Sequence, residues 1–282
     1  MSLVEVEALH RVFPMKRGGE AVTAVNRASF SIEAGEAVGL VGESGSGKST
    51  IARILVGLER ADAGSARIDG RDCLSRPRGR AARLERAQAV QMVFQDPNGS
   101  LDRRVTIGAM LERALRQHGR VISPGAVRKS VLRLLDQVRL IERHADAKPH
   151  ELSGGQRQRA AIARALAVEP RLVVLDEAVS ALDVSVQAQV LDLLTEIQRE
   201  SQVSYLFVSH DLAVIQELCQ RTLVLFRGAI VEQGPTERVL ERPEHPYTQL
   251  LIASTPGEGW NPERVVRDRM TFTQRMSTVG DA

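Results

Sequence analysis

Residues 42–50 read Gly42-Glu43-Ser44-Gly45-Ser46-Gly47-Lys48-Ser49-Thr50. The spacing Gly-x-x-x-x-Gly-Lys-Ser suits one task. Glycines let successive backbone N–H groups curl around a triphosphate, a lysine neutralises β and γ oxygens, and the next hydroxyl reaches Mg²⁺. Gly42, Ser44, Gly45, Ser46, Gly47, Lys48, Ser49 and Thr50 are therefore candidate contacts to a nucleotide. A second constellation follows the apolar run Leu172-Val173-Val174-Leu175, which delivers the carboxylates of Asp176 and Glu177 to the end of a buried strand. Neighbouring residues of an extended chain point opposite ways. That alternation would let Asp176 face Mg²⁺ while Glu177 faces an attacking water as general base.

Such groups need elements to hold them. Ala37 to Val41 is a short apolar run suited to a buried strand, and Ile51 to Val56 suits a helix, so the loop between them would hold phosphates at a helix N-terminus. Upstream, Leu3 to Leu9 and Ala28 to Ile32 alternate like half-buried strands, which suggests an antiparallel layer. Pro14 to Glu20 between them reads as a basic loop or hairpin. From about 96 to 160 the strand signal gives way to helical spacing. Val127, Val131, Leu134, Leu135 and Val138 repeat behind Ser123-Pro124, a cap followed by Pro at the first helical position. Strands then alternate with helices again, implying a mainly parallel sheet. Leu223 to Phe226 and Ile230 to Glu232 flank Arg227-Gly228 as a closing hairpin. The expected fold is α/β: a P-loop core, an N-terminal antiparallel β layer and an inserted α-helical subdomain within one domain over 1–255. Residues 256–282 show weak periodicity and read as a tail or docking segment.

Composition narrows the class. With 282 residues and 43% hydrophobic content the chain can bury a substantial core. Its 38 basic and 35 acidic residues leave a net charge of +3, too balanced for a dedicated nucleic-acid binder despite a pI near 9.2. Six arginines lie between 71 and 86, but Asp72 and Glu85 are mixed in and no aromatics interleave, the pattern of a solvated face. Cys73 and Cys219 lie far apart, which gives no disulfide framework or cysteine metal site and fits a reducing cytoplasm. No run approaches the roughly 18 apolar residues of a membrane span, and Glu5 and Glu7 interrupt any signal-like start. A chain neither secreted nor integral to a membrane is expected.

Leu152-Ser153-Gly154-Gly155-Gln156, combined with the phosphate loop and Asp176-Glu177, resembles the ATP-binding cassette (ABC) ATPases over nearly the whole chain. The resemblance implies that Ser153, Gly154, Gly155 and Gln156 bind ATP held by an opposite subunit. Physically, a serine and glycine N–H groups at a helix start form an anion site favoured by the helix dipole. It also implies that Gln95, in Val93-Phe94-Gln95-Asp96-Pro97, senses Mg²⁺ or water. His210 would contact the γ-phosphate as a switch, and Ser180-Ala181-Leu182-Asp183 would cross a dimer interface. Mg²⁺ would be shared by Ser49, Gln95 and Asp176, and Phe13 is the candidate to stack on adenine. Ala178-Val179 stands where many relatives have Pro-Thr.

Within that family, the run from Asp176 to Gln189 and the late His245-Pro246-Tyr247-Thr248 resemble oligopeptide, dipeptide and nickel importer ATPases. Many such relatives end in a cysteine-rich segment associated with an iron–sulfur cluster. No cysteine follows Cys219, so that cofactor is not carried over. The implied protein is a peripheral ATPase subunit at the cytoplasmic face of the inner membrane, with ATP and Mg²⁺ as its cofactors. Its partners would be a second ATPase subunit, identical or homologous, two membrane permeases and, indirectly, an extracytoplasmic binding protein. The permeases would dock on the segment from Gln95 to about Gln117, where Asp96, Pro97, Val105, Ile107 and Met110 either shape a groove or pack the subdomain core. A soluble cassette ATPase acting on nucleic acid or ribosomes is the alternative, and a P-loop kinase is disfavoured because it leaves the Leu152 to Gln156 run unexplained.

Overall fold

The computed structural model describes residues 2–14, 21–117 and 123–255. Residues 15–20 of the expected basic loop and the expected tail at 256–282 lie outside the described residues. Strands β1 (Ser2–Phe13) and β2 (Val22–Glu33) pair antiparallel from Ser2 opposite Glu33 to Phe13 opposite Val22. Next come β3 (Ala37–Val41), helix α1 (Lys48–Leu55), β4 (Ala63–Ile68) and β5 (Arg71–Asp72). Of these, β4 and β5 complete an antiparallel layer in the order β2-β1-β4-β5. Helix α2 (Gly79–Ala89) buries none of its residues, as a charged solvated face requires, and leads into β6 (Val90–Val93).

The next stretch is helical: α3 (Pro97–Ser100), α4 (Ile107–Gln117), α5 (Pro124–Gln137) and α6 (Gly154–Leu166). The expected apolar residues Val127, Val131, Leu134 and Leu135 of α5 are buried, as is Val138 just past its end. Ser123 holds the extended backbone of a cap and Pro124 takes the first helical turn, although the serine side chain makes no capping bond. Ile107, considered above for a docking groove, is fully buried with Leu111 and Leu115, and Met110 packs partly against the same core. Core packing wins there because α4 turns its i, i+4, i+8 stripe inward.

The second sheet is completed by β7 (Leu172–Asp176), α7 (Val184–Ser201), β8 (Ser204–Ser209), α8 (Leu212–Leu218), β9 (Arg221–Phe226) and β10 (Ala229–Pro235). Helices α9 (Thr236–Glu241) and α10 (Pro246–Ala253) follow. The strand order is β10-β9-β3-β8-β7-β6, parallel from β9 through β6, with β10 closing an antiparallel hairpin. Arg227 (φ 47°) and Gly228 (φ 81°) both take positive φ, the requirement of a tight two-residue hairpin turn. β3, β7 and β8 are buried along their whole length because both faces are covered. Val38, Leu40, Val174 and Leu206 pack with α1 and the antiparallel layer, while Val41, Val173, Leu175 and Phe207 pack with α6, α7 and α8. Each such side chain contributes about 1.5–3 kcal/mol of burial, which holds fixed the strand ends where the chemistry-bearing residues emerge. Among the described residues no helix is long and apolar enough to cross a membrane.

Candidate nucleotide site

The phosphate loop leaves β3 and enters α1 in a tight curl. Gly42 has φ 155° and Gly47 has φ 109°. A Cβ on Gly42 would stand 2.3 Å from the Leu225 carbonyl oxygen, and one on Gly47 would stand 2.0 Å from that of Ala24. Both glycines are demanded by close backbone approach as well as by dihedral. Gly45 (φ 80°) has nothing within 4 Å of such a Cβ, so the crest of the loop faces open space. Gly228, in the β9–β10 turn, ties the loop down: its N–H donates to the Ser46 carbonyl (2.9 Å), and its own carbonyl accepts from Asn26 N–H (2.8 Å).

Lys48 is buried, and its Nζ donates to the Gly42 and Glu43 carbonyls at 2.7 and 2.9 Å. Burial lowers its pKa, an effect opposed by Glu177, Asp176 and Glu43. Ser49 Oγ donates to Asp176 Oδ1 at 2.9 Å. Desolvation raises the Asp176 pKa, partly offset by that serine bond. A carboxylate held costly and close to a hydroxyl is suited to gaining a cation. Among the described residues no three His, Cys, Asp or Glu side chains cluster as a metal cage. That donor set fits Mg²⁺, which is usually held by one or two protein oxygens together with phosphates.

Glu177 departs from the expected geometry. β7 stops at Asp176, and Glu177 takes φ 48°, so the two carboxylates diverge by a left-handed turn of the backbone and not by alternation along an extended strand. A non-glycine residue in that region costs of order 1 kcal/mol or more and persists only when over-determined. Here Glu177 N–H donates to Val208 O (2.9 Å), and its carbonyl accepts from Ser180 N (3.2 Å) and Ser180 Oγ (2.9 Å). The turn aims the Glu177 carboxylate between two neighbours. Gln95 Nε2 donates to Oε2 at 2.8 Å, and His210 Nδ1 lies 3.2 Å from Oε1. Gln95 follows β6, Glu177 follows β7 and His210 follows β8, while the loop follows β3. Four adjacent parallel strands thus present their carboxyl ends to one place, where α/β sheets bind ligands.

The Leu152 to Gln156 run forms a different kind of feature. Ser153 caps α6: its Oγ accepts from Gln156 N (3.3 Å), and Gln156 Oε1 accepts from Ser153 N (2.9 Å). Gly155 is required by packing, since a Cβ there would meet Val186 Cγ1 of α7 at 2.3 Å. Gly154 is half-buried and Ser153 exposed, so the helix start faces solvent. Asp183, from the expected interface loop, caps α7 through Val186 N (3.0 Å), and Val184 beside it is 85% exposed. Phe13 is half-buried at the end of β1, with the Arg11 guanidinium 4.6 Å above its ring. The residue that motif reading did not place in this site is Tyr247, whose Oη accepts from Glu43 N–H at 3.0 Å. The His245-Pro246-Tyr247-Thr248 run marks a helix start but carries no sign of where that helix lands.

The family described as ABC transporter matches residues 25–180, and the family described as oligopeptide/dipeptide transporter, C-terminal region, matches residues 231–273. The chain is 45% identical over 260 residues to the glutathione import ATP-binding protein GsiA of Salmonella paratyphi A, covering 90% of this chain and 41% of that protein. The GsiA of Pectobacterium atrosepticum is 44% identical over 288 residues, 99% of this chain and 45% of the relative. The chain therefore spans less than half the length of these curated relatives. Among solved structures, the dimeric post-hydrolysis state of the ATP-binding cassette MJ0796 bound to ADP and Pi superposes with TM-score 0.74 at 30% identity, covering 83% of this chain and 98% of that one.

Proposed function

The chain belongs to the ABC transporter family, and from that premise we propose that it hydrolyses ATP to drive import of a peptide-type or glutathione-type solute through membrane permeases. The observation that carries the reading is the convergence of Gln95 and His210 on Glu177 beside the Ser49–Asp176 pair. Lys48 leaves the loop carbonyls for the β and γ oxygens. Glu177 accepts a proton from water as the water oxygen bonds to the γ-phosphorus and the bond to the bridging oxygen breaks, yielding ADP and phosphate. His210 and Gln95 orient that carboxylate and the γ-phosphate. Ser49, Gln95 and Asp176 would hold Mg²⁺, which neutralises charge on the phosphate oxygens.

Ser153, Gly154, Gly155 and Gln156 bind the ATP held by a second cassette, identical or homologous, so that two chains close over two nucleotides. The match of residues 231–273 to the oligopeptide/dipeptide region and the GsiA relatives support the solute class. Two permeases at the cytoplasmic face of the inner membrane would receive the motion, with an extracytoplasmic binding protein choosing the cargo. A cleft of about 440 Å³ beside the Gln95 segment, lined by Leu58, Phe94 and Ala114 together with Gln117, Arg83, Arg86 and Arg164, is where a short permease helix would seat. Leu58 there is 62% exposed. Cysteines introduced at exposed positions of this segment should crosslink to co-expressed permeases; crosslinks confined to the opposite face would reject the docking surface. Mg²⁺-dependent ATP hydrolysis by the purified chain, lost in Glu177→Gln, tests the chemistry.

A further inference from the structure

Tyr247 lies 204 positions from Glu43 in sequence, yet its hydroxyl accepts the Glu43 N–H. That N–H belongs to the same peptide unit as the Gly42 carbonyl, which accepts from Lys48 Nζ at 2.7 Å. A peptide unit is rigid and planar, so the tyrosine and the lysine grip opposite edges of one plate. Tyr247 is itself held hard. It is 1% exposed, and its ring lies 4.3 Å from that of Phe226, the last residue of β9. Its backbone N–H donates to His245 Nδ1 at 3.1 Å, and Glu232 of β10 accepts from the N–H groups of Glu244 and His245 at 2.9 and 3.0 Å. A continuous path of bonded and packed groups runs from the closing hairpin through the start of α10 to the first peptide of the phosphate loop.

We propose that Tyr247 is a positioning residue of the phosphate loop, its hydroxyl locking the Gly42–Glu43 peptide plane so that Lys48 can move to the nucleotide without the plane turning over. This rests on the nucleotide reading above. Without nucleotide both edges of the plate are bonded. When Lys48 engages phosphate its grip on the Gly42 carbonyl loosens, and the tyrosine bond then keeps the loop in its binding shape. The His-Pro-Tyr run thereby acquires a function: it carries a hydroxyl from the start of α10 into the ATP site.

The test is titration of the full chain with Mg²⁺ and a non-hydrolysable ATP analogue, for wild type, Tyr247→Phe and Leu251→Ala. Tyr247→Phe deletes only the hydroxyl; Leu251, on the same helix, is partly buried against the core and bonds nothing in the loop. Tyr247→Phe should weaken analogue binding about 3- to 10-fold, the effect of one lost hydrogen bond, with Leu251→Ala within twofold of wild type although it melts at lower temperature. Wild-type affinity in Tyr247→Phe, or an equal loss in Leu251→Ala, would overturn the positioning role. A wild-type chain that binds no analogue would overturn the nucleotide reading itself, and this role with it.

Discussion

The phosphate loop and the start of α6 are both glycine-bearing turns into helices, and both offer backbone N–H groups to an anion. They are built to different degrees of completion. The loop is braced from four sides: by β2 through Ala24, by the β9–β10 turn through Gly228, by Leu225, and by Tyr247. Beside it Ser49 bonds Asp176, and separately Gln95 and His210 both bond Glu177. The α6 start instead satisfies itself, with Ser153 and Gln156 bonding reciprocally. Its serine is exposed, and among the described residues its side-chain hydrogen bond runs only to Gln156. One region gathers side chains from four strand ends of its own chain; under the proposed function the other is the half-site that a second cassette would complete.

The largest expected effect tests the first half of that contrast. Glu177→Gln keeps the shape but removes the base, and turnover should fall roughly 10²–10⁴-fold, or about 3–5 kcal/mol of barrier, while ATP still binds. Lys48→Ala should do the opposite and weaken nucleotide binding first, read by equilibrium titration. Near-normal hydrolysis by purified Glu177→Gln would remove the base from the scheme.

The second half is tested at the cap. Ser153→Arg places a large cation on the exposed helix start, so ATP-dependent pairing should be lost in light scattering, while the same chain's loop still takes up ATP. If the substituted chain paired and hydrolysed normally, the two regions would not be complementary halves.

A comparison inside the loop sharpens the meaning of bracing. Gly47→Ala must meet the Ala24 carbonyl at φ 109°, whereas Gly45→Ala meets open space at φ 80°. Thermal or denaturant unfolding should show a loss of about 1–2 kcal/mol for Gly45→Ala, from dihedral strain alone, and a clearly larger one for Gly47→Ala. Equal losses would mean that the backbone contacts around Gly47 yield easily.

The smallest effect concerns the charge cost of assembly. Burial raises the Asp176 pKa above 3.8, so the folded chain binds its proton more tightly than the unfolded chain does. The ionised group therefore lowers stability at neutral pH, and the penalty shrinks as pH falls through the folded pKa toward the unfolded value. Asp176→Asn should raise the melting temperature of the nucleotide-free chain at pH 7, with a smaller gain at lower pH. An unchanged or lowered melting temperature would show that the serine bond and Lys48 already compensate the buried charge.

Local features of this protein were legible in its sequence. The loop, its flanking strand and helix, the buried β7 run, the α5 stripe, the Arg227-Gly228 turn and the α/β rhythm all depend on dihedral preference and hydrophobic period, which neighbouring residues encode. The same information could not decide whether Ile107 lines a groove or a core, because a helical stripe does not say what covers it. Nor could it foresee the left-handed turn at Glu177, which is held by Val208 and Ser180. Gln95 and Glu177 are 82 positions apart and Glu177 and His210 are 33; the strand order β8-β7-β6 brings them within hydrogen-bonding reach. Residue types and spacing determined which chemistry-bearing side chains this protein has. Only the sheet order, and helix α10 folded back onto the loop, decided which side chains share the site, since those contacts join segments that no local pattern relates.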